Sequence, residues 1–314
     1  MKRFIYKILL FVFAFVAING ILQLSIPKDK NGYHREYNHK VELLEMTPSP
    51  RIVFIGGSNI PFGINSQTLK DSLHINIVNF GLHAGIGIRY PLVDYLDYAR
   101  KGDIVVIQME YANYFTGGNG EPESLLPLMV ATNWRNVGRL NFHQWRNILI
   151  GVPQVTVMNL RRVLNYTTTK SFDTPSDNEN FAYVKSGFNE LGEEVGHLRY
   201  PNIVEPPLRK VEDRTVDSDF MVWLADMIQQ YEQRGAKVVM LPPVCINTHF
   251  KTLYNSGISE ALDKIHRPYI VDPHDMVLDD SCAFNSGYHM NEEGIRQNTS
   301  NIIKIFKGKG VLKE

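Results

Sequence analysis

The sequence is poor in cysteine: among 314 residues only Cys245 and Cys282 occur. This count excludes a disulfide-rich scaffold and a zinc site made of cysteines alone. Both residues are expected on loops, so in an oxidising compartment they could form one disulfide.

An excess of charge of one sign is also lacking, because 33 Lys and Arg residues balance 33 Asp and Glu residues. Nucleic-acid-binding domains usually carry a basic excess and acidic disordered chains a negative one, so neither class is expected. Gly85-x-Gly87 lacks the third glycine of a dinucleotide fingerprint, and there is no P-loop. No His and Asp spacing repeats a metal-ligand pattern. We therefore expect no nucleic-acid partner, no cofactor and no metal.

What the sequence does have is a long apolar run at residues 8–26, preceded by the basic residues Lys2, Arg3 and Lys7. A membrane-spanning helix needs roughly 20 such residues, and a basic flank stays in the cytoplasm. The pattern predicts a signal anchor at residues 1–27, with the rest of the chain periplasmic or extracellular. A cleaved signal peptide and a buried core helix are the alternatives. The polar residues 28–50 are predicted to be a linker.

Short apolar runs alternate with helical patterns over the rest of the chain, and this alternation predicts a three-layer α/β domain at residues 51–314. Runs this short and apolar suit strands of a parallel sheet buried on both faces. Five strands are predicted, at residues 51–55, 75–80, 103–109, 236–241 and 269–272.

The third and fourth predicted strands are separated by residues 114–216, a stretch far too long for an ordinary connection. We interpret it as an insertion at the carboxyl edge of the sheet, where α/β ligand sites lie. It is predicted to be a lid or a substrate wall, with an inert embellishment as the alternative.

Two residues are placed to act together at that edge. Ser58 follows the first strand after Gly56 and Gly57, so its hydroxyl is expected at the top of the sheet. His289 precedes a helix that is expected to begin at Asn291, and it can reach the same edge. An imidazole there would accept the proton of a nucleophilic serine.

These segments resemble the SGNH/GDSL hydrolase superfamily. Ser58 in GGSN corresponds to the nucleophile of the family, with Gly57 where the name-giving Asp usually stands. His289 in HMNEEG corresponds to the family's base. The resemblance implies a flavodoxin-like fold and an oxyanion hole made by the N–H groups of Ser58 and Gly85, with Gly81 as the alternative to Gly85. Asn113 is expected to supply the side-chain amide of that hole.

The family's catalytic Asp, three residues before the His, is Ser286 here. An Asp at that place fixes the imidazole tautomer and stabilises the imidazolium. Asp279, Asp280, Ser286 or a backbone carbonyl of the same loop would have to orient His289 instead.

The N-terminal anchor makes the chain most similar to membrane-anchored envelope members of the superfamily, DltD-like or polysaccharide-acetylating. The resemblance implies removal or transfer of an acyl group, expected to be acetyl, on a cell-envelope glycan. Its partners would be an acylated glycan or other ester, the membrane, and a membrane acyl-transfer partner. The alternative is a catalytically inactive glycan-binding or assembly component, which the missing Asp favours.

Overall fold

The computed structural model describes residues 2–174, 181–202 and 214–312. Its main sheet has four parallel strands in the order β2-β1-β3-β4. Every residue of the central strands β1 and β3 is buried, as expected where helices cover both faces. The predicted parallel α/β architecture is confirmed, with each of these strands within one residue of its predicted ends. The strands are β1 Arg51–Gly56, β2 Asn76–Asn79, β3 Ile104–Gln108 and β4 Lys237–Met240.

A fifth strand is not formed by residues 269–272, which make one parallel bridge, between Tyr269 and Met240. This segment lies between Pro268 and Pro273, and proline cannot donate to a strand ladder. Two small sheets follow. Strand β5 pairs in parallel with β6, and β7 pairs antiparallel with β8. Their bounds are β5 Cys245–Ile246, β6 Val277–Leu278, β7 Ala283–Ser286 and β8 His289–Met290.

Helices pack on both faces of the sheet, because alternate residues of β1 enter separate hydrophobic clusters. Val53 and Ile55 join one cluster, and Ile52 and Phe54 join the other. The helices are α1 Lys2–Ser25, α2 Glu36–Met46, α3 Ser66–Leu73, α4 Arg89–Tyr95, α5 Asn113–Thr116, α6 Pro122–Ala131, α7 Phe142–Thr169, α8 Ser218–Gln233, α9 Asn247–Leu253, α10 Gly257–Lys264 and α11 Glu292–Gly308.

The segment predicted to be a linker, residues 28–50, contains α2 and differs from that prediction. Tyr37, Val41 and Leu44 of α2 are buried in the core. Lys40 is also buried, and its ammonium donates to the carbonyl of Gly192 at 2.5 Å. Burial lowers the pKa of Lys40 to about 8. Because Gly192 belongs to the insertion, α2 joins the insertion to the sheet.

The predicted insertion is mostly helical where the structure describes it; residues 175–180 and 203–213 lie outside the described residues. Helix α7 begins at a capping box formed by Asn141 and Gln144 and runs well beyond the predicted helical stretch 154–164. Helices α6 and α7 approach closely, since a Cβ on Gly151 would lie 2.3 Å from the carbonyl oxygen of Pro122.

The N-terminal apolar run forms α1, and most of its described side chains are solvent-exposed, whereas Asn19 and Ile26 are buried. Phe4, Phe11 and Phe13 are 67%, 72% and 72% exposed, so these residues form no buried core. Within the described part of the chain, no helix has both the length and the apolar character needed to cross a membrane. Cys245 and Cys282 are both buried and free.

Candidate active site

Ser58 lies just beyond the carboxyl end of β1. The N–H of Phe62 donates to the Ser58 carbonyl and closes the turn. The chain passes from β1 to β2 on one side and then to β3 on the other. Ligands of open α/β sheets bind at such a switch point. Ser58 is buried at this switch point, and α3 begins only at Ser66, eight residues further along the chain.

His289 is brought to Ser58, with 2.8 Å between its Nε2 and the serine Oγ. Strand β8 carries the imidazole, and Phe62 stacks on it with ring centroids 4.1 Å apart. Burial, reinforced by His197 and other histidines, lowers the pKa of His289 to about 3. The imidazole is therefore neutral at physiological pH and able to accept a proton.

Asn285 orients this imidazole. Its Oδ1 lies 2.8 Å from Nδ1 of His289, and its Nδ2 donates to the hydroxyl of Tyr183 at 2.6 Å. The Tyr183 hydroxyl is itself 3.4 Å from the same Nδ1. With Nδ1 donating to the Asn285 oxygen, the lone pair of Nε2 faces the serine.

The group that orients His289 thus comes from the loop before it, as predicted. It is none of the three side chains predicted for this role, which are those of Asp279, Asp280 and Ser286. Asp279 accepts from the N–H and hydroxyl of Ser281, and Asp280 accepts from the N–H and hydroxyl of Thr248. The Ser286 hydroxyl accepts from the N–H of Tyr288 at 3.4 Å. Each is used in a local turn or cap, so none contacts the imidazole.

Glu110 is a third group at the Ser58 hydroxyl, which lies 3.0 Å from its Oε1. It lies two residues after the end of β3, and the N–H groups of Ser58 and Asn59 also bind its carboxylate. Burial nevertheless raises the pKa of Glu110 to about 7. Gly57 makes room for it, because a Cβ there would lie 2.5 Å from Oε1.

The predicted oxyanion donors Gly85 and Asn113 are both engaged with other groups of the protein. The Gly85 N–H donates to Nδ1 of His83 at 2.9 Å. Asn113 accepts from the Ile88 N–H at 3.2 Å and donates to the Glu110 carbonyl at 3.4 Å. The alternative, Gly81, packs so tightly that a Cβ would lie 2.4 Å from Ile60. Glu110 occupies the place where the Ser58 N–H was expected to bind an oxyanion.

Glu110, Asn285 and Tyr183 were missed by sequence reasoning. An ionisable residue just beyond a buried, mostly apolar strand was the available signal for Glu110. Asn285 lies within the expected loop, but the predicted orienting groups were Asp279, Asp280, Ser286 or a backbone carbonyl and did not include a side-chain amide. Tyr183 belongs to the insertion, where no local pattern marked it.

A cavity of about 290 Å³ lies between the end of α1, α6 and α7. Its lining includes Ile26, Val130, Val155 and Met158, and also Tyr183 from the candidate site. Across the described residues, no group of three or more His, Cys, Asp and Glu side chains is arranged to hold a metal ion.

Comparison with known proteins gives no match: no protein-family model, curated protein or solved structure is significantly similar to the chain. The chemistry of the site must be argued from its geometry. A serine, a neutral imidazole fixed by an amide, and a carboxyl group of raised pKa together suit nucleophilic acyl transfer.

Proposed function

We propose that the chain is an extracytoplasmic serine esterase or acyltransferase that acts on an acylated cell-envelope glycan. The observation that supports this is the hydrogen-bonded series Ser58–His289–Asn285, with 2.8 Å at each contact of the imidazole. An amide in the third position is compatible with catalysis, as in cysteine proteases that use Cys, His and Asn.

In the proposed reaction, Oγ of Ser58 attacks the acyl carbon while its proton passes to Nε2 of His289. The sugar oxygen then leaves and takes that proton, so that the acyl group is held as an ester on Ser58. Water or a second sugar hydroxyl attacks this ester, giving its proton to His289, which returns one to Ser58. Water gives hydrolysis, and the second hydroxyl gives transfer.

Glu110 has a role in this proposal as a neutral acid. A developing oxyanion beside the Ser58 N–H would meet the carboxyl group of Glu110. A protonated Glu110 donates a hydrogen bond to that oxygen, whereas an ionised one repels it. The buried position that raises the pKa of Glu110 favours the neutral form.

The remaining parts of the proposal rest on the resemblance to the SGNH superfamily and on the N-terminal sequence. They are a flavodoxin-like domain in which residues 269–272 take the place of the fifth strand, and a membrane anchor at residues 1–27. Acetyl as the acyl group, glycan as the substrate and a membrane acyl-transfer partner belong to the same proposal.

A second candidate is a glycan-binding or assembly component without catalytic activity. The positions of Gly85 and Asn113 favour it, because both predicted oxyanion donors are engaged with other groups. In that case Ser58 and His289 would bind a sugar or an ester without cleaving it.

A serine-reactive phosphonate tests the proposal. We expect it to label the full chain and to lose its target in Ser58→Ala. Ser300→Ala, a substitution on α11 away from the site, is the matched control and should label normally. Equal labelling of the Ser58→Ala variant would place the nucleophile elsewhere. Binding of an acetylated glycan without labelling or acetate release would support the second candidate.

A further inference from the structure

Helix α7 presents an apolar stripe to its surroundings. The stripe residues recur at helical spacing and are 40–77% exposed: Phe142, Trp145, Leu149, Val157, Leu160 and Leu164. A helix of a soluble domain normally buries such a face. A continuous apolar surface of this kind usually marks an interface.

The charge of α7 is of one sign. Its sequence contains Arg146, Arg161 and Arg162 but no Asp or Glu, and Lys170 follows as its C-cap. Arg146 and Arg161 are exposed along with the apolar stripe. Aromatic and aliphatic residues on one face, with only basic charges beside them, are typical of a helix that lies in the plane of a membrane.

Helix α7 contacts α1, and the residue just beyond its end, at two points. The Thr156 hydroxyl hydrogen-bonds to the side chain of Asn19, and Arg162 donates to the carbonyl of Pro27 at 2.5 Å. Asn19 stands six residues before the end of α1 at Ser25, about 9 Å along the helix axis. If α1 crosses the bilayer, the middle of α7 lies below the surface of the outer leaflet.

We infer that α7 is a membrane-embedded helix, inserted into the outer leaflet beside α1, and that its partner is the lipid bilayer. This inference rests on the proposed anchor but not on the chemistry of Ser58. The apolar stripe contacts acyl chains, in continuity with exposed Phe11 and Phe13 of α1. Arg146 and Arg161 lie among anionic headgroups.

The full chain is placed in nanodiscs of phosphatidylcholine and phosphatidylglycerol. Spin labels on single cysteines then report whether each position contacts lipid or water. Leu149→Cys and Val157→Cys report on the stripe, and Phe11→Cys reports on α1. Val222→Cys is the matched control, because Val222 is an apolar residue of α8 that is 69% exposed. The unsubstituted chain controls for the buried Cys245 and Cys282.

Labels at 149 and 157 should be accessible to oxygen and shielded from a water-soluble nickel chelate, and the label at 222 should show the reverse. If the nickel chelate reaches positions 149 and 157 as readily as position 222, the inference is overturned. This holds even where the label at position 11 shows that α1 is in lipid. Shielding from both reagents would overturn it in favour of a second protein copy. Phosphonate labelling of Ser58 in the same nanodiscs reports separately on the proposed function.

Discussion

The Ser58 hydroxyl has one proton and two acceptors within reach. His289 Nε2 lies at 2.8 Å and Glu110 Oε1 at 3.0 Å. When Glu110 is protonated it donates to Oγ, and the serine proton is directed to the imidazole. When Glu110 is ionised, it competes with His289 for that proton. In the proposed reaction, the protonation state of Glu110 would therefore decide whether the serine is poised for attack.

The pH dependence of the site should report this competition. Because the pKa of Glu110 is raised to about 7, the rate of phosphonate labelling should fall as the pH rises through that value. Glu121 adds a smaller effect in the same direction. Glu110→Gln keeps a neutral donor at every pH, so the alkaline loss should disappear, with rates at low pH within about tenfold of the wild type.

Rates of labelling and of ester hydrolysis, measured across the pH range for both proteins, check this prediction. Glu121→Gln is the matched control and should keep the alkaline loss. A Glu110→Gln variant that is inactive at every pH would instead identify Glu110 as the general base.

At the scale of elements, the small β7–β8 sheet holds the imidazole of His289 in place. It pairs Ser286 with His289, and Asn285 reaches across it to the imidazole. The Met290 N–H donates to the carbonyl of Phe62 at 3.1 Å, which ties the sheet to the turn that carries Ser58. Gly287 is needed between the strands, since a Cβ there would lie 1.9 Å from the His249 ring.

Substituting Asn285 tests whether this small sheet fixes the tautomer. Asn285→Ala should lower turnover by about 100-fold or more, because the imidazole loses the acceptor for its Nδ1 proton. Asn285→Asp should retain or raise turnover. Its carboxylate also raises the pKa of His289 from about 3, so the loss of activity in acid should move to higher pH.

Turnover of an acetyl ester across the pH range, with thermal unfolding of each variant, separates this effect from loss of fold. An unchanged acid limb in Asn285→Asp would show that Asn285 does not act on the imidazole. Asn255→Ala, at the start of α10, is a control of similar chemistry away from the site.

The strands were predictable because a buried parallel strand needs an uninterrupted apolar run, and β1 and β3 provide one. The prediction of a fifth strand was wrong because half-exposed Tyr269, Ile270 and Val271 lie between two prolines at the sheet edge. Ser58 and His289 were predictable because both flank regular elements. Tyr183 was not, because only packing of the insertion brings it within reach of His289.

At the scale of the whole molecule, the proposed orientation is open to a direct measurement. A C-terminal alkaline phosphatase fusion to the full chain should be active, and a fluorescent protein at the same place should stay dark. The reason is the basic Lys2, Arg3 and Lys7 before the apolar run. Reversing these three charges to Glu should reduce phosphatase activity several-fold.

A fluorescent C-terminal fusion, together with an inactive phosphatase fusion, would place the C-terminus in the cytoplasm and contradict the proposed orientation. A product shortened by about 27 residues would identify a cleaved signal peptide instead. The contacts of Asn19 and Pro27 with α7 favour an anchor that is retained.

Because α2 packs into the core, there is almost no flexible linker between α1 and the domain. Residues 26–35 could span roughly 35 Å if extended. They are instead held by the domain: Lys30 donates to Asp173, and Arg35 donates to the Ala131 carbonyl. If α1 lies in the bilayer as proposed, Ser58 stays within one domain's width of the membrane. A substrate would then have to reach that layer, and the rate would depend on the density of acylated chains at the membrane surface rather than on their concentration in the compartment.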